Sequence, residues 1–168
     1  GLLRFVVQLD HDLVFLDVIA ARGQPLGDRA LLLELAIAGY QSALQIITRE
    51  NHPTIWASLQ NNLANAFSDR IRGDRTDNHT KALSHYQSAL SIRTGNETSI
   101  EYLQTWHNLA TAYLERIQGD RADNIQSAID GFQHSLDLAR RLGLEQHLYQ
   151  ILNNLGNAFL AQAELGVD

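Results

Sequence analysis

The sequence contains no cysteine and no methionine, and proline occupies only two of its 168 positions. The lack of cysteine excludes disulfide bonds, thiolate catalysis and cysteine-ligated zinc. It is in keeping with a reducing compartment, and we expect a cytoplasmic protein. Because the chain starts at Gly1 rather than at a methionine, we expect it to be a fragment of a longer protein, so the lack of a signal peptide carries no information.

Positive charge is also scarce, since 13 Lys and Arg residues stand against 19 Asp and Glu residues, for a net charge of −6. This balance disfavours nucleic acid and anionic membrane surfaces as partners. Long apolar runs are missing as well, because Arg4 and Asp10 interrupt the first and Glu34 interrupts the second. With 45% hydrophobic and 19% charged residues, the composition is that of a globular protein without a membrane span.

One helical pattern is written three times along the chain, at intervals of 46 residues. Its clearest copy is W-x-x-L-A-x-x-Y at residues 106–113, and the other copies begin at Gln60 and Leu152. The spacing places the large side chains and the small Ala or Gly on one stripe of an α-helix. A neighbouring helix can approach closely at the small residue, because at most a methyl group lies between the two backbones. The sequence therefore predicts a repeated helical module.

A second pattern, A-x-x-x-[YF]-x-x-[AS], recurs at the same interval and predicts a second helix in each module. Its copies span residues 36–43, 82–89 and 128–135. A Gly-Asp-Arg triplet also recurs, at residues 27–29, 73–75 and 119–121. We assign the triplet to a structural turn that needs glycine in the left-handed conformation.

Helix ends are predicted from the residues that flank these patterns. Asn78 and Asn124 stand at matching places and are predicted to be N-caps. Thr98 and Glu101 have the spacing of a capping box, and Gly143 is predicted to end a helix in the left-handed conformation.

Together these patterns predict an all-α chain of seven helices in a single domain, residues 1–168. The first helix is predicted over residues 2–22 and carries only a degraded stripe. The predicted segments are a degenerate first helix pair (1–48), two complete repeats (49–94 and 95–141) and a terminal helix of the first type (142–168).

The two helical patterns resemble those of the tetratricopeptide repeat family, over residues 28 to 164. The unit of that family has 34 residues, whereas this one has 46. The longer unit and the motif R-I-x-G-D-R, at residues 70–75 and 116–121, are similar to long bacterial arrays of the family. The resemblance implies a right-handed α-solenoid of antiparallel helix pairs, in which the first helix of each pair lines a concave groove.

Polar residues occupy matching positions on the first helix of each repeat and form the candidate site. An amide side chain both donates and accepts hydrogen bonds, so stacked amides can hold the backbone of an extended peptide. This arrangement resembles the kinesin light chain and LGN branch of the family. A second interpretation uses the same residues to bond neighbouring helices together. The candidate peptide-binding residues are Asn61, Asn62, Asn65, His107, Asn108, Thr111, Asn153, Asn154 and Asn157.

As function, we predict a protein–protein interaction scaffold that binds a protein or peptide without catalysis, cofactor or metal. No set of acid, base and nucleophile recurs in the patterns. Asp10, His11 and Asp12 are adjacent and would diverge on a helix, so they do not predict a metal site. The alternative is a structural or self-assembling array, because the terminal helix repeats the full stripe and its apolar side needs a cover.

Leu109 is the central large residue of the clearest stripe, and its replacement tests the assignment. Leu109→Ala is expected to lower the free energy of unfolding by roughly 2–5 kcal/mol, because it leaves a cavity in the helix interface. Urea denaturation of the two proteins measures the difference. A loss below about 0.5 kcal/mol, the size of an ordinary surface substitution, would mean that the stripe is assigned to the wrong face.

Overall fold

The computed structural model describes residues 26–93 and 99–166, and over these residues the backbone is helical with no β-strand. The prediction of an all-α chain is therefore confirmed for this part, whereas the first predicted helix, residues 2–22, lies outside it. The helices are α1 (Leu26–Leu44), α2 (Pro53–Ser68), α3 (Arg75–Arg93), α4 (Ile100–Glu115), α5 (Arg121–Leu142) and α6 (Glu145–Leu165).

Two compact units make up the chain, one extending to Ile92 and the other starting at Arg93. Helix α1 packs on α2 in the first unit, and hydrogen bonds between side chains join α2 to α3. In the second unit α5 packs on both α4 and α6, and α4 also touches α6. We call α2, α4 and α6 the A helices, because they carry the first sequence pattern, and α1, α3 and α5 the B helices.

The predicted stripe of the A helices is buried in α2 and largely buried in α4. Leu63, Ala64 and Phe67 have at most 3% of their surface exposed, and Leu109 and Ala110 at most 4%. On α6 the residues of the corresponding stripe differ in their exposure. Leu155 is buried, whereas the large residues Leu152 and Phe159 are about half exposed. The same sequence pattern therefore has a different environment on the last described helix.

Helices α4 and α5 come closest where two small residues face each other. A Cβ atom built on Gly131 would lie 2.8 Å from the Cβ of Ala110, and 3.7 Å from the carbonyl oxygen of Trp106. The first distance is too short for two carbon atoms that are not bonded. Glycine is therefore required at residue 131 by the space available, although it lowers helix propensity.

The Gly-Asp-Arg loops have the same conformation in both units. Gly73 and Gly119 adopt φ angles of 82° and 83°, in the left-handed region that glycine tolerates without strain. The Asp that follows each glycine accepts a hydrogen bond from a backbone N–H three residues later, at 2.9 Å for Asp74 and 3.0 Å for Asp120. At these two copies the geometry agrees with the structural assignment of the triplet, and the Asp is the helix cap. The predicted turn is wrong for the first copy, because residues 27–29 lie within α1, which begins at Leu26.

The prediction that Asn78 and Asn124 are N-caps is wrong, because Asp120 caps α5 and Asp74 makes the matching bond at α3. Both asparagines are buried inside the first turn, and each donates from Nδ2 to a loop carbonyl at 2.8 Å. Those carbonyls belong to Arg72 and Gln118, six residues earlier. The buried amide therefore holds the loop against its helix, a role that a cap motif does not include.

Two other predicted helix ends have different outcomes. Ser99, rather than Thr98, is the N-cap of α4, and its hydroxyl accepts a hydrogen bond from the backbone N–H of Tyr102 at 3.1 Å. The predicted capping box is therefore wrong by one residue. Gly143 ends α5 with φ 67°, as predicted from its place in the sequence.

Arg70, the first residue of the R-I-x-G-D-R motif, connects the loop to α1. Its Nε and Nη2 atoms donate to the two carboxylate oxygens of Glu34, each at 2.8 Å, and Nη1 donates to Asn78 at 3.3 Å. This two-point hydrogen bonding lowers the pKa of Glu34, against a smaller opposing effect of burial. The Glu34 and Arg70 side chains are about a quarter exposed, so water weakens the attraction between them.

The Ala110–Gly131 contact predicts opposite effects for two glycine-to-alanine changes in one unit. Gly131→Ala is expected to lower the free energy of unfolding by about 1–3 kcal/mol, because the added methyl group collides with Ala110. Gly156→Ala is expected to raise it by about 0.5–1 kcal/mol, since no described residue lies within 4 Å of a Cβ atom at that position and alanine favours helix.

Urea denaturation of both variants measures these differences. If Gly131→Ala stabilised the protein as much as Gly156→Ala does, the close approach of α4 and α5 would be refuted.

Candidate functional site

The predicted site residues lie along one side of the A helices, where they keep contact with solvent. Asn62, Asn108, Thr111 and Asn154 are half-buried, and Asn65 and Asn157 are exposed. Asn62, Asn108 and Asn154 are each followed directly by a buried leucine, namely Leu63, Leu109 and Leu155. The polar positions therefore lie at the boundary between core and solvent on every A helix.

One more polar residue per helix belongs to this side and was not predicted. Ser58, Gln104 and Gln150 precede Asn62, Asn108 and Asn154 by four residues, which is about one helical turn. The first is half-buried and the other two are exposed. A comparison of the three A helices at the 46-residue interval, one turn before Asn62, Asn108 and Asn154, would have identified these residues. We call these nine residues the polar stripe: Ser58, Asn62, Asn65, Gln104, Asn108, Thr111, Gln150, Asn154 and Asn157.

The predicted residues that flank the polar stripe lie in three different environments. Asn61 is half-buried, His107 is buried, and Asn153 is exposed. His107 faces the ring of Phe132 on α5, with 5.4 Å between the ring centroids. Its Nε2 atom lies 3.2 Å from Nδ2 of Asn154, so the neutral ring accepts a hydrogen bond from that amide. His107 therefore connects α4 to both α5 and α6.

In the first unit, two residues of α2 hold α3 in the same manner. Oδ1 of Asn65 accepts a hydrogen bond from the hydroxyl of Tyr86 at 2.6 Å. Oε1 of Gln60 lies 2.6 Å from Nδ1 of His85. Three of the predicted site residues, Asn65, His107 and Asn154, thus bond neighbouring helices, as the second interpretation of the sequence expects. Their partial exposure leaves the peptide interpretation open for the same helices.

Aromatic and cationic groups surround Phe67 near the end of α2. Its ring stacks on His85 with 5.6 Å between centroids and 5° between planes. Nζ of Lys81 and Cζ of Arg70 lie 5.5 Å and 5.8 Å from the Phe67 centroid. Burial, with a smaller contribution from Lys81, lowers the pKa of His85. The lowered pKa favours the neutral ring of His85, which can donate a hydrogen bond from Nδ1 to Oε1 of Gln60.

In each unit an acidic residue lies at the C-terminal end of an A helix. Asp69 follows α2 and lies 3.3 Å from Nη2 of Arg29, so part of its charge is compensated. Glu115 is the last residue of α4 and is exposed. A basic segment of a ligand would be favoured next to these carboxylates, and an acidic one disfavoured.

Several kinds of site are missing from the described ranges, 26–93 and 99–166. No three His, Asp or Glu side chains cluster there in a way that could hold a metal ion. None of the helices in these ranges is long and apolar enough to cross a membrane. Comparison of the chain with protein-family models, with curated proteins and with solved structures gives no match.

The buried His107 and the half-buried His85, both at contacts between an A helix and a B helix, predict how stability depends on pH. Burial, with a smaller effect of His147, lowers the pKa of His107, and burial likewise lowers that of His85. Both pKa values are then below the value of about 6.5 in the unfolded chain. The stabilisation is complete above pH 6.5 or so and decreases as the pH falls through the folded-state pKa, because the unfolded chain binds the protons first.

The free energy of unfolding is therefore expected to be lower at pH 5.5 than at pH 7.5, as measured by urea denaturation. The double variant His85→Gln/His107→Gln keeps hydrogen-bonding groups in place but does not titrate. It is expected to show a smaller difference between the two pH values. An undiminished difference in this variant would assign the effect to other groups.

Proposed function

We propose that this protein is a helical-repeat scaffold of the tetratricopeptide type, which binds an extended peptide segment of a partner protein along the polar stripe. It acts by binding alone, without catalysis, cofactor or metal. One observation carries this proposal. Every member of the polar stripe keeps contact with solvent, at three positions repeated on three A helices, while the neighbouring leucines are buried.

The chemistry of the stripe fits a peptide backbone better than a particular side chain. Seven of its nine members are Asn or Gln amides, and the other two, Ser58 and Thr111, are hydroxyl residues. Amides supply a donor and an acceptor at once, which is what an extended peptide presents at each residue. Each hydrogen bond contributes only about 0.5–1.5 kcal/mol, so a useful affinity needs several of them in a row. The repetition of the amides from helix to helix meets that need.

The second unit supplies two such helices in contact with each other. Helices α4 and α6 touch, and the His107–Asn154 hydrogen bond joins them. In the proposal, His107 is a positioning residue, because it is buried and holds the Asn154 amide by Nδ2. In the proposal, the Oδ1 atom of Asn154 accepts a hydrogen bond from a backbone N–H of the peptide. Preorganised amides lose less conformational entropy when a peptide binds.

The solenoid itself is part of the proposal. Successive A–B pairs that repeat at 46 residues, with equal loops, would stack with a constant rotation and form a right-handed superhelix. The A helices would then line its concave surface, with the acidic Asp69 and Glu115 at one edge. This edge favours peptides with Lys or Arg at the corresponding end.

A peptide library displayed on phage, selected on the folded protein, tests the proposal. The strongest selected peptide is then measured against a variant of the stripe, Asn62→Ala/Asn108→Ala/Asn157→Ala, by isothermal titration calorimetry. We expect the affinity to fall at least about tenfold, since three hydrogen-bonding amides are removed. The chain offers a matched control in Gln41, Gln87 and Gln133, which are exposed on the three B helices at the same 46-residue interval.

The control variant, Gln41→Ala/Gln87→Ala/Gln133→Ala, is expected to bind the peptide as the unmodified protein does. An equal loss in both variants, or no selected peptide at all, would contradict the proposed site. Circular dichroism melting of all three proteins establishes that each is folded before binding is compared.

A further inference from the structure

Helix α6 exposes a face that is covered on the other two A helices. Tyr149, Leu152, Phe159 and Leu160 lie on one side of the helix around Gly156, and Tyr149 is 83% exposed. Their spacings of three, four and seven residues place them on a single apolar stripe. No charged residue interrupts it between Tyr149 and Leu160. An exposed apolar stripe of this length is typical of an interaction surface.

The internal repeat shows what kind of element covers this face. The positions equivalent to Leu152 and Gly156 are Trp106 and Ala110 on α4, 46 residues earlier. On α4 they contact the B helix α5, where Gly131 faces Ala110, and His134 packs on Trp106 with 4.8 Å between ring centroids. On α2 the same face contacts α3 through Gln60, Phe67 and His85. The face of α6 therefore has the shape that receives a B helix.

Helix α1 is a B helix with the complementary face exposed. The positions on α1 that correspond to Gly131 and His134 are Gly39 and Ser42, 92 residues earlier. None of the residues 26–93 and 99–166 lies within 4 Å of a Cβ atom built on Gly39, whereas one built on Gly131 would collide with Ala110. Leu35 on this face is 59% exposed, and Leu32 and Ile46 are also exposed. An adjoining side of α1, with Ala36 and Tyr40, is buried.

From these two faces, we infer that the exposed face of α6 binds the exposed face of α1 of a second copy of this chain. The contact reproduces the α4–α5 interface, with Gly39 opposite Gly156 as Gly131 is opposite Ala110. The Ser42 hydroxyl already donates to the carbonyl oxygen of Ala38 at 2.8 Å, so burying it leaves no donor without a partner. Leu35, Leu152 and Leu160 would supply the apolar contact.

The two faces are different, so the contact is head-to-tail. A heterologous contact of this kind adds further copies at both ends, and it gives rings when the rotation closes and open chains when it does not. The polar stripe lies on another side of α6, since Asn154 and Asn157 are offset from Gly156 around the helix axis. Self-association and peptide binding therefore use separate surfaces, and the inference does not rest on the proposed function.

Two matched variants of the full chain test the contact. Leu35→Glu places a carboxylate on the α1 face, and Leu160→Glu places one on the α6 face; these leucines are 59% and 60% exposed, so neither change disturbs the core. Each is expected to weaken self-association at least about tenfold, because an unpaired carboxylate is buried in the contact. Ile117→Glu is the control, since Ile117 is 65% exposed in the loop after α4 and should leave association unchanged.

Sedimentation velocity over a wide range of protein concentration gives the distribution of species for each protein. For the unmodified chain we expect the average mass to rise with concentration. An equimolar mixture of Leu35→Glu and Leu160→Glu is the decisive sample. Each variant keeps one intact face, so the mixture is expected to form a heterodimer that does not grow further, while each variant alone remains monomeric.

Two results would overturn the inference. One is an unmodified chain that stays monomeric at every concentration. The other is association that Leu160→Glu abolishes and Leu35→Glu leaves intact, because α6 would then bind its own counterpart or another surface rather than α1. The polar-stripe variant of the preceding section is expected to associate normally, which separates a failure of this contact from a failure of peptide binding.

Discussion

The packing of helices through very small residues is the constraint on which the rest of this structure depends. Gly131 meets Ala110 with no room for another carbon atom. The alanines of the two sequence patterns are buried as well, and four of them are completely buried, namely Ala64, Ala82, Ala89 and Ala128. Helices that pack this closely have many backbone and side-chain atoms in contact, which compensates for the small apolar area of each alanine.

Close packing also determines which surfaces of an A helix remain for binding. On α2 one side contacts the preceding B helix, α1, and another contacts the following B helix, α3, so only a third side reaches solvent. The polar stripe occupies that third side. On α6 two sides are exposed, because the side that receives a following B helix has no such neighbour among residues 26–93 and 99–166. The proposed peptide binding and the proposed self-association would therefore use different sides of the same type of helix.

Loops with the same backbone conformation and hydrogen bonds in successive modules would give each A–B helix pair the same geometry. The left-handed glycine, the capping Asp and the buried Asn occur with the same hydrogen bonds at α3 and α5. In the first unit the motif Arg also pairs with Glu34 on α1. A repeat protein needs such loops, because a small difference in the angle between successive helices accumulates along the array. The amides of the polar stripe would keep a regular spacing from helix to helix only if the angle between successive helices is constant.

Much of the local structure could be predicted from the sequence, since it depends on residues close to one another along the chain. The stripes of α2 and α4, the small residue at the helix crossing, and the left-handed Gly143 all follow from spacing and backbone preference. The repeat interval was also sufficient to align the polar residues of successive A helices. It would have identified Ser58, Gln104 and Gln150 if it had been applied one turn further.

Only the tertiary structure decided which partner each polar or apolar group finds. Asn124 has the residue type of a cap, yet it binds a loop carbonyl, because the chain folds back and brings Gln118 within reach of a buried amide. His107 has the sequence position of a groove residue, but Phe132 and Asn154 converge on it from two other helices. Leu152 and Phe159 repeat the pattern of buried residues and are exposed. Periodicity determines the side of a helix on which a residue lies, whereas burial depends on what packs against that side, and this is a property of the folded chain.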